Sequence, residues 1–132
     1  MTRTETPAQL VDRAAELTTQ AARGQYAAIP DHRDLYSLLM AAERALDALH
    51  AVNSNVGAQT AHYGEGRRLR TDTDRGPAEV LAAAMDHGRA LDAALWQARQ
   101  AARSMAGEFA RLAHQPDPDE PADGEDADEW LR

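Results

Sequence analysis

Apolar residues recur in steps of three and four along most of the chain, and three stretches hold that rhythm long enough to predict helices. The first runs over residues 7–23, with Leu10, Ala14, Leu17 and Ala21 on one face. Thr6 is placed to cap it, Pro7 suits the first helical position, and Gln9 can close a capping box. Gly24 is the expected stop.

A second helix is predicted over 32–62, after Pro30 and an Asp31 N-cap, with Asp34 in its favourable first turn. Its expected seam is Leu35, Leu39, Ala42, Leu46, Leu49, Asn53 and Val56, a heptad pattern with one polar member. The segment "VNSNVG" (52–57) is poor in helix propensity, and continuation through it to about Tyr63 is the expectation. Residues 64–76, "GEGRRLRTDTDRG", read as a loop. The third helix, 77–114, begins with Gly76-Pro77-Ala78-Glu79. Leu81, Ala84, Gly88, Leu91, Leu95, Ala98, Ala102, Met105, Phe109 and Leu112 mark its seam without a break. No stretch alternates with the period of a strand.

The expected fold class is therefore all-α: an up-down-up three-helix bundle of residues 1–116 with a long antiparallel hairpin between helices 2 and 3. An acidic, disordered C-terminal tail over 117–132 follows it. The predicted lengths imply more. At ~1.5 Å per residue, helix 3 spans about 55 Å and helix 1 only about 25 Å. Helix 1 then leaves half of the hairpin, roughly 49–63 against 77–92, without a third helix. Two helices cannot shield both sides of an apolar seam, so a second protomer, or another protein, is expected there, making a four-helix arrangement. Its expected interface residues are Leu49, Val52, Asn53, Val56, Leu81 and Met85. Asn53 would fix register at some cost in stability.

Composition moves the charge to one end. The chain has 132 residues and a formal net charge of −8. The eight acids and single Arg of "DPDEPADGEDADEWLR" carry −7 of it, which leaves −1 for residues 1–116. A global basic field for nucleic acid is absent. All basic residues are Arg and Ala is the commonest residue, a composition typical of GC-rich coding, as in actinobacteria, their phages or plasmids. Without cysteine there is no disulfide or thiolate chemistry. "MTRTETPAQL" has no apolar core of a signal peptide, and no run reaches the ~20 apolar residues of a membrane span, so a cytoplasmic protein is expected.

Catalytic chemistry finds no foothold. Ser37, Ser54 and Ser104 lie outside any Gly-flanked elbow, and "GEGRRLR" lacks the Lys-Ser/Thr of a phosphate loop. Asp47 and His50 make one carboxylate–x–x–His pair, but a di-metal bundle needs two, and Asp86-His87 are adjacent and diverge. No enzyme activity, cofactor or metal is expected.

What remains is surface for partners. Trp96 stands at the edge of the helix 3 seam with Asp92, Arg99 and Arg103 on its face. Trp96, Arg99 and Arg103 form a candidate aromatic–arginine hot spot. Trp130 and Leu131, at the end of the acidic arm, are a second candidate anchor. The sequence thus points to a non-enzymatic helical adaptor or regulatory accessory protein, acting as a homodimer on a protein partner. An alternative is a nucleic-acid accessory factor that touches phosphate through Arg67, Arg68 and Arg70. A further alternative is a secreted helical-hairpin effector.

Overall fold

A computed structural model describes residues 3–113. The chain folds as three helices, α1 (Pro7–Ala27), α2 (His32–His62) and α3 (Pro77–Phe109), with no strand among the described residues. The all-α fold and the long α2–α3 hairpin stand as the sequence pattern requires. Residues 117–132, with the expected acidic tail, lie outside the described residues.

The helix starts follow local chemistry. Thr6 Oγ1 accepts from the Gln9 N–H at 3.2 Å, and the Gln9 side chain accepts from the Thr6 N–H at 2.9 Å, a complete capping box. Asp31 does the same for α2, its Oδ1 accepting from the Arg33 and Asp34 N–H groups at 2.8 and 2.9 Å. These bonds, the one from the Asp34 N–H foremost, hold the Asp31 carboxyl below its ordinary value.

Two ends differ from expectation. Gly24 does not stop α1, which runs on to Ala27 before the chain turns extended at Ala28. Gly24 keeps a negative φ and is an ordinary helical residue, and the break comes where Pro30 forbids further helix. Helix α3 ends at Phe109 and not at 114, closing in tighter turns, with the Arg111 N–H on the Glu108 carbonyl and the Leu112 N–H on the Phe109 carbonyl. The "VNSNVG" segment is continuous helix.

Close packing is between α2 and α3. Helix α1 lies beside α2 across an open apolar groove and buries none of its residues. Its Leu10, Val11, Ala14 and Thr18 face Ala45, Ala48, Leu49 and Val52 of α2 across that groove. The loop after α2 turns at Gly66, whose φ of 67° favours glycine. Among the described residues only Ala106 (1 % exposed) and Glu43 (6 %) are buried.

Candidate partner-binding face

The seam between α2 and α3 is turned from the one the apolar pattern predicts. Leu39, Leu46 and Asn53 lie in it as expected, but Glu43, His50 and Gly57 replace Ala42, Leu49 and Val56. On α3, Gly88, Leu95 and Ala102 keep their places, while Asp92 and Ala106 replace Leu91 and Met105. In each helix one of the two heptad positions has moved on by a single residue. One residue is 100° of helix, so the facing line has turned by about 50°.

A ladder of polar pairs runs along the turned seam. Arg103 Nε donates to Glu43 Oε1 at 3.0 Å, and its Nη2 donates to the same oxygen. One helical turn along, Arg99 Nη1 pairs with Asp47 Oδ1 at 3.0 Å. Next, His50 Nε2 approaches Asp92 Oδ1 at 3.7 Å. Asn53 Nδ2 closes the ladder, donating to Asp92 Oδ1 at 2.7 Å and to the Gly88 carbonyl at 3.0 Å. Acids spaced four apart on α2 meet arginines spaced four apart on the antiparallel α3. That complementarity is visible in the sequence when the two helices are set side by side in reverse. Reading the apolar periodicity alone misses it.

The expected hot spot divides accordingly. Arg99 and Arg103 are committed to Asp47 and Glu43 in the same chain. The Arg99 Nε is shut off from solvent with no acceptor among the described residues, so this guanidinium is packed in place at some cost. Trp96 stays 56 % exposed on the same face of α3. Trp130 and Leu131 lie outside the described residues.

Of the expected interface residues, Asn53 spends its amide hydrogens inside the hairpin, so the register it sets is that of α2 on α3. Leu81 and Met85 are half-buried in the same hairpin, Leu81 beside Gly64 of the loop. Leu49, Val52 and Val56 stand 43, 42 and 51 % exposed. With Leu91 and Met105 of α3 they leave a broad apolar surface open.

In the loop, Arg67 sits 4.4 Å over the Tyr63 ring, a cation–π contact. Arg68 and Arg70 are exposed and make no ion pair among the described residues. No cluster of three metal-ligating side chains occurs among the described residues. No helix among them is long and apolar enough to cross a membrane. No protein-family model matches the chain, and no curated protein or solved structure is significantly similar to it.

Proposed function

We propose that this chain is a non-enzymatic helical interaction protein, an adaptor or regulatory accessory factor that works as a homodimer engaging a protein partner. The observation that carries this reading is the near-absence of a core. Ordering a residue costs about 1–2 kcal/mol of backbone entropy. Among the described residues only Ala106 is fully buried and the leucines of the α2–α3 seam are buried in part, so the fold recovers less of that than a closed core would. The apolar stripe of Leu49, Val52 and Val56 is the surface whose covering completes the balance. The polar ladder leaves that stripe outward because its own pairs occupy the other flank of the hairpin.

The test is the mass in solution. Light scattering that returns about 14.4 kDa at every concentration would sink the dimer. A mass near twice that value, falling on Val52→Asp with helicity retained, supports it. A second reading, phosphate contact through the 64–76 loop, draws on the exposed Arg68 and Arg70. Salt-sensitive DNA binding that disappears on replacing Arg67, Arg68 and Arg70 with Ala would favour it.

A further inference from the structure

Helix α1 stands away from α2. No Cα of α1 comes within 8 Å of one in α2, whereas helices in contact lie about 8–10 Å apart axis to axis. The facing residues are mostly Ala and Thr, small enough for close contact. The slot left between them measures about 670 Å³, and none of its lining side chains is charged. Leu10 and Val11 on one wall and Leu49 and Val52 on the other stay 37–46 % exposed along it.

The same chain carries a segment that can fill this slot. Between Leu112 and Trp130 no residue has an apolar side chain larger than proline, and Trp130 and Leu131 then stand side by side. The reach fits. Ala113 borders the same hollow as His32, Arg33, Tyr36 and Ser37, so the chain leaves α3 at the level of the first turns of α2. From that level Ala48 is eleven to sixteen residues along α2, about 17–24 Å. Crossing to the side of α2 away from α3 adds at most one helix diameter, ~10–12 Å, for a straight span of about 20–26 Å. Trp130 lies seventeen residues past Ala113. A coil of that length has an r.m.s. span of about 21–25 Å, and like charges lengthen it. A tether whose r.m.s. length matches the span holds its end group at a local concentration on the order of millimolar.

Charge suits the same path. Eight acids over 117–129 precede Trp130. Arg33 and Arg44 are about three turns apart, hence on one line of α2, and Arg44 is one turn before Ala48. Both are exposed and make no ion pair among the described residues. The acids near that line are occupied: Asp34 accepts from the Asp31 N–H, and Asp47 pairs with Arg99.

We infer that Trp130 and Leu131 dock in the slot between α1 and α2 of their own copy, with the acids of 117–129 running past Arg33 and Arg44. The docked segment is a plug on Leu49 and Val52 that a protein partner has to displace. The inference does not rest on the dimer reading, since a second copy seated on Leu49 and Val52 competes with it.

Full-length Trp96→Phe keeps Trp130 as its single tryptophan and so reports on it alone. Trp130 emission is expected at shorter wavelength than in a peptide of residues 117–132, and acrylamide should quench it several-fold less. Val11→Asp in that background, on the α1 wall and outside the proposed dimer stripe, should return both readings to those of the peptide with helicity retained. Arg33→Glu together with Arg44→Glu, both at exposed positions, should cut the shielding without touching the slot. Trp130 as exposed in the full-length protein as in the peptide would overturn the inference. So would shielding that Val11→Asp leaves intact, or shielding lost on dilution, which would seat Trp130 in another copy. Light scattering on the same samples reads the dimer separately: a monomer mass with Trp130 shielded removes the dimer and leaves the docking standing.

Discussion

Glu43 is the one buried charge among the described residues, and its partner Arg103 reaches it from a side chain that is 60 % exposed. Arg103→Met keeps most of the aliphatic stem and deletes the guanidinium, so the packing lost is small and the charge lost is whole. The variant gives up two charge-assisted bonds to Glu43 Oε1, one of them at 3.0 Å from Nε. Hydrogen bonds to charged groups contribute about 1.5–3 kcal/mol, and removing one member of a fully buried pair costs about 3–5 kcal/mol. Water reaches the outer side of Arg103, which places this case near the lower figure, about 2 kcal/mol. For a domain of this size that is a fall in Tm of roughly 10 °C.

Most of that cost is the carboxylate left alone, and this makes a second variant informative. Glu43→Leu in the Arg103→Met background removes the stranded charge and fills its place with apolar atoms. Such replacements are often neutral or stabilising, so the double variant should return to within about 1 kcal/mol of the parent. The assay is a double-mutant cycle from urea denaturation followed by helical circular dichroism, at one fixed protein concentration because the proposed dimer would make stability depend on it. A coupling energy below about 0.5 kcal/mol, with the double variant as weak as the sum of the singles, would refute the claim that this pair holds the turned seam.

Asn53→Ala removes both cross-helix donors and should cost about 1 kcal/mol, read in the same denaturation assay and as faster amide exchange around Gly88. Gly24→Ala should stabilise α1 by about 1 kcal/mol in thermal melts, because a mid-helix glycine is penalised and a Cβ there meets nothing within 4 Å; a loss would mean that α1 ends at 24 in solution. The Asp31 cap should depend on pH in one direction. Its folded carboxyl titrates below the ordinary 3.8, so the cap's contribution is full above that value and disappears as pH falls through the lower folded one. Amide exchange at Arg33 and Asp34 should quicken over that acid range, and Asp31→Asn, still a good cap, should remove the dependence.

The helices and their starts were legible because capping is local. Thr6 with Gln9, Asp31 with Asp34, and Pro77 each act within one turn of chain. The hairpin was legible from the length and continuity of two heptad patterns. Gly24 misled because a glycine signals a helix end only where the backbone enters the left-handed region, and nothing local to Gly24 requires that. The exposure of Leu49, Val52 and Val56 was legible from the length of the hairpin. The pairing of Arg99 with Asp47 and of Arg103 with Glu43 was not. Both arginines sit on the face of Trp96, and periodicity cannot tell an arginine aimed at solvent from one aimed at the next helix.

The turned seam follows from counting both flanks of the hairpin. Had α2 and α3 met on the apolar positions, Leu49, Val56, Leu91 and Met105 would be covered within one chain. Glu43, Asp47, Arg99 and Arg103 would then point away from one another and lose their pairs to water. In the turned arrangement those pairs form and the apolar residues face out. Exposed ion pairs contribute at most about 1 kcal/mol each, less than one buried leucine or valine. Taken alone, the turned arrangement is therefore the poorer choice for a monomer. It becomes the better one when the outward stripe is covered by another chain, because the ladder and the apolar contacts then both form. The proposed dimer would reconcile the two: the ladder holds the hairpin, and the apolar face it leaves outward is the one a second copy would cover.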